Sequence, residues 1–302
     1  MSAIRSLFIS NPAAARTGQA AVGSVLLALR SGGWEVEVAE TEGPGDARKL
    51  AVQAVKDGHQ VVTVFGGDGT TMQAAAALVG TGVSLGVIPG GTGNLLAGNL
   101  RIPAAPVEAA RALLKARPRR LDLGRMERAD GTHYFAVACG AGYDARVMSQ
   151  TPPEQKRRWG MAAYVATTLR LVAHMKDSRH RITVDGVGFD TDAVMVLVAN
   201  CGEVFPPYVK LGAGISPEDG LLDLLVVRAN NLAQGVRAAW QILRGYRGAG
   251  GDLGAITYAR GREVRVETDQ VQPVQLDGEP GGLTPFTATI VPGAIQVLVP
   301  PP

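Results

Sequence analysis

Short apolar runs alternate with amphipathic stretches through the first third of the chain. Three short apolar runs and one alternating run predict strands, at residues 4–9, 34–38, 61–65 and 85–88. Between these runs, apolar residues at helical spacing predict helices over residues 17–29, 46–56 and 71–79. Because strand and helix alternate, the pattern predicts an α/β domain with a mostly parallel, doubly wound sheet.

The pattern changes after residue 122, where strand signals separated by turn residues replace the alternation. Six runs predict strands, at residues 194–199, 222–227, 263–267, 271–276, 286–290 and 295–299. Two helical stretches interrupt them, at residues 161–171 and 232–243. A strand-rich region with few helices favours an antiparallel sheet or sandwich. We therefore predict an α/β domain over residues 1–122 and a C-terminal antiparallel β-sandwich domain over residues 123–290.

Composition and charge narrow the class of protein. The chain has 302 residues, of which 46% are hydrophobic and 19% charged, as in an ordinary globular protein. A net charge of +3 is too small to indicate a nucleic-acid partner. Cys139 and Cys201 cannot form a disulfide framework, which favours a reducing, cytoplasmic location. No apolar run reaches the roughly 18 residues that a transmembrane helix needs.

Glycines cluster at the ends of the third and fourth predicted strands. Residues 66–70 read Gly-Gly-Asp-Gly-Thr, and residues 89–94 read Pro-Gly-Gly-Thr-Gly-Asn. Glycine lacks the Cβ atom that would keep backbone N–H groups away from phosphate oxygens, and a helix N-terminus favours an anion. In a parallel sheet both turns fall at the carboxyl ends of the strands, where ligands bind. Together the two turns predict a polyphosphate site.

Asp68 is the acidic residue of the first glycine turn. A carboxylate beside phosphates is repulsive unless Mg²⁺ lies between them or the carboxylate accepts a substrate proton. Asp68 therefore favours a metal–nucleotide complex over a simple anion site. The alternative is that the segment is only a tight turn in which Asp68 caps the following helix.

The order of these motifs resembles the catalytic domain of the diacylglycerol kinase superfamily, which includes sphingosine and ceramide kinases and small bacterial lipid kinases. The resemblance runs through residues 11–12, 66–70, 89–94, 140–145, 217–220 and 277–279. It implies a nucleotide-binding domain of the NAD kinase and phosphofructokinase type, a β-sandwich for the substrate, and a last segment, residues 291–302, that returns to the first domain. The implied activity is ATP-dependent phosphorylation of a lipid hydroxyl, with a diacylglycerol-like acceptor.

The resemblance also implies which residues bind ATP with its Mg²⁺. They are the glycine turns and polar residues at neighbouring strand ends: Asn11, Thr41, Gly66, Gly67, Asp68, Gly69, Thr70, Thr71, Met72, Gly91, Thr92 and Asn94. The chain departs from the family after Asn11-Pro12, where alanines replace the usual Ser-Gly, and after Asn94, where Leu95 replaces an aspartate. These differences fit a divergent bacterial member and leave the acceptor open.

Asp277 and Glu279 fall where the family has its acidic catalytic pair, and Asp68 is the third carboxylate that we place in the catalytic set. An alcohol is a poor nucleophile, so one carboxylate of the pair would accept its proton as the phosphorus–oxygen bond forms. Either member of the pair fits this role. The alternative is that Asp277-Gly278 is merely a hairpin turn, which is the usual meaning of Asp-Gly between strands.

The family also carries a structural Mg²⁺ or Ca²⁺ site. The resemblance places it at the Asp219 carboxylate and the carbonyl groups of Ser216 and Leu221. Hard cations accept such a mixture of oxygen ligands. Without the resemblance, residues 217–220 predict only a turn.

A membrane lipid as acceptor implies transient contact with the inner membrane surface. The basic residues 156–158 beside Trp159 would provide that contact, or they form a solvated helix start. A homodimer through an edge strand is a further option. Two other functions stay open: a soluble-acceptor kinase of the NAD kinase type, and a non-catalytic nucleotide-binding or lipid-binding protein of the same fold.

Overall fold

The computed structural model describes residues 3–142, 178–205, 209–211, 214–228, 251–252 and 256–301. The chain divides into two compact units, which we call unit 1 (Met1–Asp122 with Pro292–Pro302) and unit 2 (Leu123–Val291). The helices predicted at residues 161–171 and 232–243 lie outside the described residues, as do Lys156, Arg157 and Arg158, for which membrane contact is predicted.

Unit 1 is built on a parallel sheet with helices between its strands. The strands are β1 (Ile4–Ser10), β2 (Trp34–Glu40), β3 (Val61–Gly66) and β4 (Ser84–Pro89). The helices are α1 (Gln19–Ser31), α2 (Asp46–Lys56), α3 (Asp68–Leu78), α4 (Leu95–Asn99) and α5 (Pro106–Leu113). The strands lie in the order β2-β1-β3-β4, and all are parallel. Strands β3 and β4 are buried along their whole length, as continuously apolar strands of a parallel sheet should be.

The described strands of unit 2 form two large antiparallel arrays and a separate two-stranded sheet. The strands of this unit, of which the first and last extend into unit 1, are β5 (Arg117–Arg128), β6 (Gly131–Phe135), β7 (Ala138–Gly142), β8 (Ser178–Val184), β9 (Val187–Ala193), β10 (Met195–Ala199), β11 (Glu203–Phe205), β12 (Val209–Lys210), β13 (Leu222–Val227), β14 (Gly251–Asp252), β15 (Ile256–Gly261), β16 (Glu263–Thr268), β17 (Pro273–Leu276), β18 (Glu279–Leu283) and β19 (Phe286–Val299). One large array has the order β19-β16-β8-β9, with β5 pairing both β6 and β19. The other has the order β14-β15-β13-β10-β7-β17-β18, and the separate two-stranded sheet pairs β11 with β12.

One apolar core joins the two large arrays of unit 2. Met126, Phe135 and Phe286 of the first array belong to the same buried cluster as Val196 and Leu224 of the second. Side chains from two inner faces that share one core define a β-sandwich. Unit 2 is therefore the antiparallel sandwich that the strand-rich sequence predicts.

The last strand is longer than the sequence predicts. The pattern predicts two strands, at residues 286–290 and 295–299, whereas the structure has the single strand β19. The strand continues through its Pro-Gly pair because Gly293 adopts φ +56° and its N–H donates to Asp122 Oδ1 at 2.7 Å. Beyond that point Gln296 and Val297 pair with β4, parallel to it. The final residues therefore extend the parallel sheet of unit 1.

Candidate active site

The first glycine turn joins β3 to α3 without any side-chain cap. Gly67 is the N-cap residue, with extended backbone angles of φ −89° and ψ −177°. The Thr71 N–H and the Thr71 hydroxyl both donate to the Gly67 carbonyl oxygen, each at 3.0 Å. The first N–H groups of a helix have no partner inside the helix, and they carry its partial positive charge. The turn therefore offers backbone donors suited to an anion.

The second glycine turn lies directly against the first. The Gly90 N–H donates to the Gly66 carbonyl oxygen at 2.8 Å. An ideal Cβ atom on Gly91 would lie 2.7 Å from Gly67 Cα, a distance that real Cβ atoms do not tolerate. Glycine is therefore required at Gly91 by the close approach of two backbones. The two turns form one surface at the carboxyl ends of neighbouring parallel strands.

Asp68 links the two turns instead of capping its helix. Its Oδ1 accepts the backbone N–H of Leu95 at 2.6 Å. On the other side, an ideal Cβ atom on Gly93 would lie 2.7 Å from Asp68 Oδ2. The alternative of a helix cap does not describe this residue, because Asp68 is the first residue of α3 and Gly67 is its N-cap. The carboxylate instead fixes the start of α4 relative to the start of α3.

Asn94 holds the second turn in shape. It adopts φ +52°, in the left-handed region that asparagine tolerates better than most residues. Its side chain closes a ring with Gly91, accepting that residue's N–H at 2.9 Å and donating to its carbonyl oxygen at 2.8 Å. Thr92 lies exposed at the tip of the same turn. Asn94 is thus a structural element of the turn, and Thr92 is its accessible hydroxyl.

The end of β1 also contributes to this surface. The Asn11 side-chain amide donates to Thr70 Oγ1 at 2.8 Å, and the Asn11 N–H donates to the Phe65 carbonyl oxygen at 3.1 Å. Thr41 follows β2, and its N–H donates to the Ser10 carbonyl oxygen at 2.9 Å. Met72 lies half-buried in the first turns of α3. The structure thus groups Asn11 and residues 66–72 with the second glycine turn, while Thr41 is tied to the end of β1.

Thr17 also belongs to this surface, although the sequence does not identify it as a site residue. An ideal Cβ atom on Gly90 would lie 3.0 Å from the Thr17 methyl group, and the Thr17 hydroxyl donates to the Asn11 carbonyl oxygen at 2.5 Å. The adjacent Arg16 N–H donates to the Gly90 carbonyl oxygen at 3.0 Å. A threonine in a loop carries no signal by itself, so only the folded arrangement identifies it.

In unit 2, the Asp277 carboxylate is buried and accepts three backbone N–H groups. Oδ2 accepts from Ala136 at 2.7 Å, and Oδ1 accepts from Val137 at 2.7 Å and from Ala138 at 2.9 Å. Burial raises the pKa of Asp277 to about 6, even though each of the three hydrogen bonds lowers it. Asp277 therefore holds the segment of residues 136–138 in place.

The opposite side of residues 136–138 is held by the end of β10. The Asn200 side-chain amide donates to the Ala136 carbonyl oxygen at 2.8 Å. The backbone N–H groups of Asn200 and Cys201 both donate to the Val137 carbonyl oxygen, at 2.8 Å and 3.1 Å. Asn200 is fully buried, and nothing in the sequence except its place after a strand points to it. Asp277 and Asn200 together fix both the donors and the acceptors of one short backbone segment.

Glu279 differs from Asp277 in its surroundings. Asp277 and Gly278 form a two-residue hairpin turn with φ +46° and +84°, so that Leu276 pairs with Glu279 across it. The hairpin alternative is thus correct as a description of the backbone. Glu279 begins β18 and is exposed, whereas Asp277 is buried. Of the two side chains, Glu279 is therefore the one open to solvent.

The turn expected to hold a structural cation contains a different arrangement. Asp219 Oδ1 accepts the Leu221 N–H at 3.1 Å, and Asp219 Oδ2 contacts the guanidinium group of Arg260. Ser216 lies half-buried three residues before Asp219. Because a guanidinium group repels a divalent cation, Ser216, Asp219 and Leu221 do not fit the Mg²⁺ or Ca²⁺ that the resemblance implies.

Within the described part of the chain, no helix is both long and apolar enough to cross a membrane. In that same part, no three His, Cys, Asp or Glu side chains group closely enough to hold a metal ion. Burial raises the pKa of the Cys139 and Cys201 thiols, which disfavours their reactive thiolate forms.

Two family matches together cover most of the chain. Residues 5–126 match the family described as Diacylglycerol kinase catalytic domain. Residues 137–299, more than half of the chain, match the YegS C-terminal NAD kinase beta sandwich-like domain.

Two curated relatives illustrate the similarity. A Pseudomonas aeruginosa protein named as a YegS-like lipid kinase is 30% identical over 292 residues, covering 94% of this chain and 91% of the relative. The diacylglycerol kinase of Bacillus subtilis is 28% identical over 285 residues, covering 93% of this chain and 91% of the relative.

Solved structures share the fold. A crystal structure from Bacillus anthracis has a TM-score of 0.84 at 24% identity and covers 100% of this chain and 98% of that chain. A second, described as a diacylglycerol kinase from the same species, has a TM-score of 0.77 at 21% identity. The predicted fold class, a parallel α/β domain with an antiparallel β-sandwich, is confirmed. The predicted family is confirmed as well, and the chain belongs to the diacylglycerol kinase family of lipid kinases.

Proposed function

We propose that the chain transfers the γ-phosphoryl group of ATP to the hydroxyl group of a diacylglycerol-like lipid. The observation that carries the nucleotide half of this proposal is the contact between the two glycine turns at Gly67 and Gly91. Their backbones approach so closely that side chains are excluded, and the N-terminus of α3 begins at the same place. Because no Cβ atoms obstruct them, the backbone N–H groups of these turns can donate hydrogen bonds to the oxygens of a triphosphate.

Mg²⁺ bound with ATP would neutralise charge on the phosphate groups. Asp68 is the carboxylate at the glycine turns and would hold this ion, directly or through water. The position of Asp68 fits that role, because it is the first residue of α3 and lies between the two glycine turns. Its Oδ1 is committed to the Leu95 N–H, which fixes the direction of the carboxylate.

Glu279 is the proposed general base of unit 2, and Asp277 is the proposed positioning residue. Three of the lone-pair sites of the Asp277 carboxylate are occupied by backbone N–H groups, so this side chain is poorly suited to collect a further proton from a substrate. Glu279 is two residues away and exposed. The rigid hairpin anchored by Asp277 would hold the Glu279 backbone in place while its side chain accepts the proton of the lipid hydroxyl.

A lipid acceptor requires contact with a bilayer, and unit 1 carries a suitable segment. Five exposed cations, Arg111, Lys115, Arg117, Arg119 and Arg120, fall within residues 111–120, which we call the basic segment. No acidic residue occurs between residues 109 and 121. Near an anionic membrane surface each such cation contributes about 1 kcal/mol of attraction. The basic segment supports transient docking at an anionic membrane surface.

The direct test is a transfer assay with radiolabelled ATP over a panel of acceptors. The panel contains diacylglycerol, monoacylglycerol, sphingosine, ceramide and phosphatidylglycerol in vesicles, with NAD as the soluble acceptor. We expect label in diacylglycerol or a close relative and none in NAD. Label in NAD alone would support the soluble-acceptor alternative, and ATP binding without transfer to any acceptor would support a non-catalytic binding protein.

A further inference from the structure

One arginine of unit 2 is shared by two carboxylates. The Arg260 guanidinium contacts Asp219 Oδ2 through one terminal nitrogen, and its Nε lies 2.9 Å from Asp223 Oδ1. Arg260 in β15 and Asp223 in β13 are directly paired across two antiparallel strands. Tyr258, two residues before Arg260, also contacts Asp223 Oδ1 through its hydroxyl group. The side chain of Arg260 therefore reaches along β13 to the turn that precedes it.

The burial of these groups makes a counter-charge necessary. The Asp223 side chain is 1% exposed, while those of Asp219 and Arg260 are 28% and 35% exposed. A buried carboxylate is unfavourable unless a charge or several donors compensate it. Two carboxylates beside one turn form the kind of oxygen-rich surrounding in which proteins also place a divalent cation. Here a planar guanidinium group with directed N–H donors lies between them.

We propose that Arg260 takes the place of the divalent cation expected at residues 216–221, so that this turn is held by an internal cation and requires no metal. The same positive charge that a metal ion would bring is then covalently part of β15. Removal of that charge should open the turn to Mg²⁺ or Ca²⁺, because the Asp219 and Asp223 carboxylates would remain without a cation between them.

Thermal unfolding tests this replacement with a readout independent of kinase activity. The melting temperature of the wild-type protein, without nucleotide, should differ by less than about 1 °C between EDTA and excess Ca²⁺ or Mg²⁺. Arg260→Gln should melt lower in EDTA and should regain roughly 3 °C when the ion is at about ten times its dissociation constant. Arg262→Gln is the matched control, since Arg262 is an exposed arginine nearby, and it should respond as the wild type does.

Equilibrium dialysis with radioactive Ca²⁺ gives a second measurement that does not need the Arg260 variant to fold. Wild type and Asp219→Asn should bind the same number of ions per chain. One more ion on the wild type than on Asp219→Asn would overturn the proposal, because it would place a metal at this turn beside Arg260. The proposal would also be overturned if Arg260→Gln folds and its melting temperature does not change on addition of Ca²⁺ or Mg²⁺.

Discussion

Replacement of Asp277 with asparagine changes both the hydrogen bonds and the charge beneath residues 136–138. The carboxylate accepts one N–H through Oδ2 and two through Oδ1. Asparagine has a single side-chain oxygen, so at most two of these bonds survive and its NH₂ group must face the third N–H donor. Loss of a hydrogen bond to a charged acceptor costs about 1.5–3 kcal/mol.

The hydrogen bonds of Asp277 stabilise the folded protein, whereas its buried negative charge destabilises it. Burial raises the pKa of Asp277 from 3.8 to about 6. Because a tenfold change in proton affinity corresponds to about 1.4 kcal/mol, ionised Asp277 lowers the free energy of unfolding at neutral pH by about 3 kcal/mol. The folded protein holds this proton more tightly than the unfolded chain does. The stability that Asp277 contributes is therefore greatest below about pH 4, and it is lost as the pH rises through about 6.

Because asparagine does not titrate, the difference in free energy of unfolding between the wild type and Asp277→Asn should depend on pH. Between about pH 7 and about pH 4.5, the wild type should gain about 2 kcal/mol over Asp277→Asn. Urea unfolding of both proteins at both pH values measures this difference. Thr132→Ala, at an exposed position of β6, removes no ionisable group; it is the control and should differ from the wild type by the same free energy of unfolding at both pH values. A pH-independent difference for Asp277→Asn would refute the reasoning, because it would mean that burial does not raise the proton affinity of this carboxylate.

Two further predictions concern unit 1. Gly91→Ala would place a Cβ atom 2.7 Å from Gly67 Cα, so it should cost about 1–3 kcal/mol in stability and weaken ATP binding, as read by calorimetry and nucleotide titration. The control is Gly23→Ala in α1, where a Cβ atom meets nothing within 4 Å, and this variant should be at least as stable as the wild type. If Gly91→Ala binds ATP as tightly as the wild type does, that result would contradict the close contact of the turns. Reversal of Lys115 and Arg117 to glutamate should weaken binding to phosphatidylglycerol vesicles by about thirtyfold or more in a co-sedimentation assay. The same reversal at Arg48 and Lys49 of α2 should leave vesicle binding near the wild-type level, and equal losses in both variants would argue against the basic segment as the docking surface.

The parallel sheet of unit 1 is predictable from the sequence because β3 and β4 are continuous apolar runs bounded by turn residues. Strand β7 is not predictable, since its glycines suggest a turn. Its glycines are instead required by neighbouring backbone, because ideal Cβ atoms on Gly140 and Gly142 would each lie 2.6 Å from a carbonyl oxygen of residues 194–196. The start of β5 is also hidden, because Arg117-Pro118-Arg119-Arg120 shows no apolar alternation.

The candidate site also has one part that the sequence predicts and another part that it does not. The glycine turns are local motifs at the ends of adjacent strands, so the sequence suffices to predict that they lie together. The partners of Asp277 are about 140 residues away along the chain, and Arg260 is 41 residues from Asp219. No local pattern predicts such pairs, because they depend on how the strands of unit 2 are ordered. For the same reason, the sequence leaves open which acidic residue would be the base, and our proposal of Glu279 rests on the difference in burial between Asp277 and Glu279.

The most direct test of the proposed chemistry is the rate of γ-phosphoryl transfer from ATP to diacylglycerol in vesicles, measured for wild type and Glu279→Gln beside the ATP affinity of each. Glu263→Gln, at an exposed glutamate that begins β16, is the matched control. We predict that Glu279→Gln lowers the turnover number at least about 100-fold with unchanged ATP affinity, while Glu263→Gln transfers at the wild-type rate. Wild-type turnover by Glu279→Gln, with label still appearing in the lipid, would contradict the assignment of Glu279 as the base.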